Sequence, residues 1–251
     1  MILNAIEQGE GRPLVLLHGL FGQARNFGAL QRRLAAGGRR VVAFDMPNHG
    51  ASPHAPVMDY RSMAADVAES MEARGIARAD VMGHSMGGKA AMMLALTAPG
   101  LVARLVISDV APVAYPPRWG ELVAAMRAVP PGTARAAADA LLAPAEADAG
   151  VRAFILTNRL PDASGWRIGL EGIGASMPAI LGWAPPEGAR FDGPALFVQG
   201  EHSTYIRPEN RPVIRALFPA ARFVTVKGAG HWIHAEQPEG FAAVMEGFLP
   251  I

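Results

Sequence analysis

The chain has 251 residues, of which 51% are hydrophobic and 18% charged, a balance that excludes a disordered polar chain. Its 23 basic and 22 acidic residues leave a net charge of +1, so no electrostatic argument points to nucleic acid or an anionic membrane as partner. Cysteine is absent, which rules out disulfides, thiolate nucleophiles and cysteine-based metal sites.

Short apolar runs alternate with longer helical patterns in the first part of the chain. Strands are predicted at Pro13–His18, Arg40–Asp45, Asp80–Gly83 and Ala103–Ser108. Each is nearly continuous in apolar character, as expected of strands buried on both faces of a parallel sheet. Between them, Met58–Gly75 places Met63, Val67 and Met71 at four-residue steps and stops at a glycine, so it reads as a helix. Ser85–Ala98 is rich in Ala, Met and Leu and ends before Pro99, which gives a second helix. Such an order implies right-handed crossovers and an α/β sheet covered by helices on both faces.

Residues 111–190 differ in character. They are rich in Ala, Pro and Gly, with helical fragments at Arg118–Val129 and Thr133–Leu142 and no clear strand. They read as a helical insertion in one domain, whose core is 1–110 and 191–251. A cap over the carboxyl ends of the strands is the expected place for it, since ligands of open α/β sheets bind there. A decoration remote from any site is the alternative. The strand pattern then resumes at Pro194–Gln199 and Arg222–Val226, with helices expected at Arg207–Phe218 and Pro238–Leu249. Residues 1–11 carry Glu7 and Glu10 without a basic stretch, unlike a secretory leader. No uncharged apolar run approaches the ~20 residues of a membrane span, so a cytoplasmic protein is expected.

The sharpest chemical signal is Gly83-His-Ser-Met-Gly87, followed by Gly88, between a strand and a helix. A serine in G-x-S-x-G in that context is a nucleophile elbow, in which small neighbours let strand and helix close on a tight turn. The helix N-terminus then offers positive potential to a developing anion. Serine needs a base. His231 follows the last strand through Gly228-Ala-Gly230 and so emerges at the same end of the sheet as Ser85. His234 reads as packing for the last helix. Oxyanion donors are expected from the backbone N–H of Met86 and, where the first strand breaks into Gly19-Leu-Phe-Gly22, from Leu20 in preference to Phe21. His18 reads as an organiser of that loop, and Asp45 and Ser52 as loop-bracing groups.

The carboxylate that orients the histidine is less legible. The loop after Pro194–Gln199 reads Gly200-Glu-His-Ser-Thr-Tyr205 and contains no aspartate. Asp109, after the strand at 103–108, is favoured; Glu201 and Asp192 stay open. Candidate pocket residues are Phe21, Tyr115, Trp119, Trp183, Tyr205 and Trp232, although aromatics are more often buried than functional. Histidine spacing gives no metalloprotease pattern, and His231-x-x-His234 alone does not define a metal site.

These motifs together resemble the α/β-hydrolase superfamily, and within it the YbfF-type bacterial esterases and their mitochondrial abhydrolase relatives. The resemblance is carried by Leu17-His-Gly-Leu-Phe-Gly22, Asn48-His-Gly50 with Ser52, Gly83 to Ala90, Asp109-Val-Ala-Pro-Val113, Ser203-Thr-Tyr205 and Gly228 to Ala235, and spans nearly the whole chain. It implies a mostly parallel sheet flanked by helices with a helical cap, and a Ser85–Asp109–His231 triad. The implied activity is cofactor-free hydrolysis of small acyl esters, with acyl thioesters or C–C bonds as alternatives on the same triad. A ligand-binding relative without catalysis is the competing class, but such proteins usually lose a triad member. Epoxide hydrolase or dehalogenase chemistry would need a carboxylate where Ser85 stands. Stretches 145–150 and 182–193 match little, so substrate choice is expected to be set in the insertion. Oligomeric state is not legible.

Overall fold

The computed structural model describes residues 1–250. Its first half runs β1 (Ala5–Gln8), β2 (Arg12–Leu17), α1 (Gly28–Ala36), β3 (Arg39–Phe44), α2 (Tyr60–Glu72), β4 (Ala79–His84), α3 (Met86–Thr97) and β5 (Val102–Ser108). Four helices follow before the next strand: α4 (Gly120–Ala128), α5 (Arg135–Leu142), α6 (Ala149–Ile155) and α7 (Leu170–Leu181). The chain closes with β6 (Ala195–Gly200), α8 (Arg211–Leu217), β7 (Ala221–Val226), α9 (Ile233–Glu236) and α10 (Pro238–Phe248).

The strands form one seven-stranded sheet in the order β1-β3-β2-β4-β5-β6-β7. Only β1 is antiparallel to its neighbour; the remaining pairs are parallel. Alternating side chains of the central strands divide between two apolar layers. Val15, Val42, Val81 and Ile107 face the layer shared with α2 and α3. Leu14, Val41, Met82 and Val106 face the layer covered by α1 and α10. Helix α3 is buried at 11 of its 12 positions, which is why its sequence is apolar all round rather than amphipathic.

The topology also fixes where a site can form. From β2 the chain moves outward to β3, whereas β4 lies on the other side of β2 and continues towards β5. The loops leaving β2 and β4 therefore part at their carboxyl ends and open a crevice, the switch point where ligands bind in such sheets. The segment that carries α4–α7 bonds to the loops at this end: Asn158 Nδ2 donates to the carbonyl of Phe21 at 2.7 Å, and Met58 N to Ser176 Oγ at 2.7 Å. Among the described residues no helix is long and apolar enough to cross a membrane.

The expected strands and the helices around them are present with shifted ends. Asp59 caps α2, accepting from Ser62 N at 2.8 Å, so this helix begins two residues later than predicted from Met58. Sequence reading missed β1, whose four residues alternate weakly at an edge, and also α1, α6 and α7. In α7, Gly172, Gly174 and Pro178 are poor helix formers by propensity. Tertiary burial of Ile173, Met177 and Ile180 overrides them.

Candidate active site

Ser85 joins β4 to α3 with φ 52° and ψ −118°, a conformation that a non-glycine residue adopts only when its surroundings hold it. The surroundings are visible in the flanking glycines. A Cβ on Gly83 would meet the Gly87 carbonyl oxygen at 2.2 Å, and one on Gly87 would meet that of Leu17 at 2.3 Å. Strand, elbow and helix touch backbone to backbone, and the serine hydroxyl is left projecting from the turn. Phe21, Asn48 and Asp109 also have positive φ, so four of the five such non-glycine residues among the described residues lie in the loops gathered here.

His231 Nε2 stands 3.1 Å from Ser85 Oγ, and His231 Nδ1 stands 2.7 Å from Asp109 Oδ2. The carboxylate can only accept, so the Nδ1 proton points at Asp109 and Nε2 is bare towards the serine hydroxyl. Asp109 is fully buried. Its carboxylate accepts from Gly200 N at 3.2 Å and from the Ser203 hydroxyl as well as from His231. The chain leaving β6 and the loop after β7 thus both converge on the acid that follows β5. Glu201 and Asp192 do not reach the histidine. Glu201 Oε2 accepts from Gly228 N at 2.8 Å and braces the loop from behind, while Asp192 pairs with Arg190 at the surface.

The imidazole of His231 is held on its faces too. Tyr205 stacks on it at 4.0 Å with rings 18° apart, and His84 lies at 4.7 Å. His84 Nε2 donates to the His231 carbonyl at 2.9 Å. Glu236 binds the backbone N–H of Gly230 at 2.5 Å and of Trp232 at 3.0 Å, clamping both sides of the histidine. Neither Glu236 nor His84 had a role in the sequence reading, because each acts through backbone across a loop. Burial lowers the pKa of His84 well below the usual imidazole value and that of His234 to about 4, with the nearby imidazoles adding to the effect. Both are neutral at pH 7.

Two further buried imidazoles shape the loop after β2. His18 accepts from Met46 N at 2.9 Å and holds the Gly19 carbonyl at 2.8 Å. His49 Nε2 accepts from Phe21 N at 3.0 Å, while its Nδ1 holds the Pro47 carbonyl at 2.8 Å. Burial depresses both, His49 to about 3. The Phe21 N–H is therefore engaged. Among the described residues the N–H groups of Leu20 and Met86 have no acceptor, and both residues line the space at Ser85. Asp45 accepts from Asn4, Ala24 and Ala51, and Ser52 donates to the Asp45 carbonyl, so these two brace the loop as expected.

Two hollows meet at Ser85. The larger, about 460 Å³, runs beneath α7 and is walled by Tyr60, Met86, Lys89, Val113, Ile180 and Leu181. The smaller, about 50 Å³, is walled by Val151, Phe154, Ile155 and Trp232, and His231 faces only this one. Leu20, Trp119 and Tyr205 border both. Of the predicted pocket residues, Tyr115 lines the larger hollow, and Phe21 and Trp232 the smaller. Trp183 lines neither. The chain turns extended at Gly182 beyond α7, and the indole packs on Tyr60 at 5.9 Å instead. Among the described residues no group of three His, Cys, Asp or Glu side chains is placed to hold a metal ion.

A parallel sheet of this order, with a serine at the β4–α3 elbow and an imidazole delivered after the last strand, is the architecture of an α/β hydrolase. The family described as alpha/beta hydrolase fold matches residues 12–238, and the chain belongs to it. Over 248 residues the chain is 40% identical to the sn-1-specific diacylglycerol lipase ABHD11 of Mus musculus, covering 94% of this chain and 80% of the lipase. Over 249 residues it is 38% identical to esterase YbfF of Escherichia coli K12, covering 98% of this chain and 96% of the esterase. Among solved structures, a marine microorganism esterase superposes with a TM-score of 0.93 at 34% identity, covering 99% of each chain. The chain is a hydrolase related to esterases and lipases.

Proposed function

We propose that the chain is a serine carboxylesterase that cleaves short- to medium-chain acyl esters of small alcohols through a Ser85–His231–Asp109 triad. The observation that carries this is the unbroken hydrogen-bond line from Asp109 to His231 to Ser85, at 2.7 and 3.1 Å, ending beside two N–H groups without acceptors. Ser85 Oγ attacks the acyl carbon as its proton passes to His231 Nε2. The carbonyl oxygen, now negative, accepts from Met86 N–H and Leu20 N–H, each such donor typically lowering the barrier by ~3 kcal/mol. Asp109 keeps the Nδ1 proton in place and stabilises the imidazolium. Collapse expels the alkoxide, which takes the proton from Nε2. Water then gives a proton to Nε2 and attacks the acyl-serine, and a second collapse frees the acid and restores the serine hydroxyl.

The assignment of the two hollows follows from that proton. The leaving oxygen must be reached by His231, so the alcohol occupies the hollow of about 50 Å³ that His231 faces, and the acyl group extends into the one of about 460 Å³. At about 50 Å³ against about 460 Å³, the alcohol hollow is much the smaller of the two, which argues for small alcohols. Residues 111–190 serve as a cap that walls both hollows, a reading supported by Trp119 and Ile180 on the acyl side and Phe154 on the alcohol side. An ethyl ester series from acetate to dodecanoate, followed by acid release, tests the proposal. Wild type turns over butyrate to octanoate, and Ser85→Ala lowers kcat by 1,000-fold or more, in the range of triad deletions. Comparable turnover by Ser85→Ala refutes it.

A further inference from the structure

Lys89 sits in the first turn of α3, its N–H donating to the Ser85 carbonyl at 3.1 Å, and its side chain is only 1% exposed. Its ammonium reaches the floor of the acyl hollow. Nζ donates to the Gly182 carbonyl at 2.8 Å and, less closely, to that of Leu181 at 3.3 Å. It also lies over the rings of Tyr115 at 4.7 Å and Tyr60 at 5.4 Å. An ammonium has three N–H donors, and the third finds no oxygen among the described residues. Among the described residues no carboxylate pairs with it. A buried charge is ordinarily matched by an opposite one. The other buried cation of this fold obeys that rule, Arg39 holding Asp80 at 3.0 Å. With only neutral partners, burial draws the Lys89 pKa down to about 7.

The rest of the hollow has the same sign. Its other charged lining groups are Arg118 and Arg207, both exposed at the rim, and no Asp or Glu lines it. Neither arginine has a carboxylate partner among the described residues, although seven other arginines do. Asp109, the buried acid of the site, does not line the hollow and is occupied by Gly200, Ser203 and His231. The hollow is lined by apolar and neutral polar groups, and its only charged lining groups are cationic.

We propose that Lys89 is the receptor for a carboxylate at the far end of the acyl group, so that the preferred substrates are monoesters of short dicarboxylic acids. The proposal rests on the esterase reading and narrows it. Ser85 and Lys89 line the same hollow of about 460 Å³, so the second carboxylate lies along the acyl chain from the ester carbonyl. The rim arginines raise the local concentration of the anion, and the buried ammonium binds it where water competes least.

The test compares kcat/KM for the ethyl half-esters of succinate, glutarate and adipate with ethyl butyrate, valerate and hexanoate, at constant ionic strength. Wild type favours at least one half-ester over its neutral counterpart by roughly tenfold, the worth of a single charged hydrogen bond. In Lys89→Met that ratio falls to one or below; because a ratio is read, a general loss of activity cancels. A second measurement needs no variant: glutarate inhibits hydrolysis of ethyl butyrate by wild type at concentrations about tenfold lower than valerate. Half-esters cleaved no faster than neutral esters, with glutarate no better an inhibitor than valerate, overturn the proposal and leave Lys89 as a tie between α3 and the end of α7. A preference that survives Lys89→Met and disappears in Arg118→Ala or Arg207→Ala also overturns it. Absence of hydrolysis for every ester, in contrast, refutes the esterase reading beneath it.

Discussion

Replacing Asp109 by Asn changes no volume and leaves a choice between two poor arrangements. The carboxylate now accepts on both oxygens: Oδ1 from Gly200 N at 3.2 Å, Oδ2 from the Ser203 hydroxyl and from His231 Nδ1 at 2.7 Å. If the amide oxygen stays on Gly200, the NH₂ group faces His231 Nδ1. That nitrogen must then be bare, its proton moves to Nε2, and Nε2 can no longer accept from the serine 3.1 Å away. If the amide flips, NH₂ opposes the buried N–H of Gly200 and leaves it without an acceptor, a penalty of about 1–3 kcal/mol. The first arrangement is therefore expected, with folding retained and the wrong imidazole tautomer. Loss of the correct tautomer is associated with about 10,000-fold in kcat, equivalent to ~5.5 kcal/mol of barrier. The assay is kcat on ethyl butyrate for Asp109→Asn and Glu201→Gln, with thermal melting of each. Asp109→Asn falls by thousands and melts near wild type. Glu201→Gln, whose amide oxygen still accepts from Gly228 N, falls by less than about tenfold. A loss below tenfold for Asp109→Asn, or the larger loss for Glu201→Gln, refutes the placement of the acid.

Two further outcomes are expected. Phe154 meets Trp232 at 5.8 Å across the alcohol hollow, so Phe154→Ala raises the ratio of kcat/KM for benzyl over methyl butyrate by roughly tenfold, and an unchanged ratio refutes the assignment of that hollow. Buried His84, His234 and His49 have folded pKa values depressed from 6.5, the last two to about 4 and about 3. Below 6.5 the unfolded chain binds protons that the folded chain refuses, so the stability present above pH 6.5 is lost as pH falls towards 4 and 3. Urea unfolding across that range shows the decline, and His234→Phe, which fits between Phe27 and Phe241, makes it shallower; an equal slope in the variant refutes the assignment of that proton to His234.

Some features were legible because they are local. Strand and helix periodicity gave the alternating core, and Gly83 to Gly88 encoded the elbow in six consecutive residues, since a turn that tight depends only on its own neighbours. The position of His231 followed from chain order, because parallel strands deliver their loops to one end of the sheet. The acid did not follow in the same way. Asp109 and His231 are 122 residues apart, and only the side-by-side pairing of β5, β6 and β7 makes Asp109, rather than Glu201, their meeting point. The choice of Leu20 over Phe21 in the proposed oxyanion hole rests on His49, a residue from another loop that takes the Phe21 N–H. Helix α7 was hidden by its glycines and proline, because propensity is summed along the chain whereas its stability comes from burial against the core. Trp183 and Lys89 fared oppositely for one reason. Whether a side chain faces a cavity is decided by packing in three dimensions, which placed the indole on Tyr60 and the ammonium under the acyl hollow.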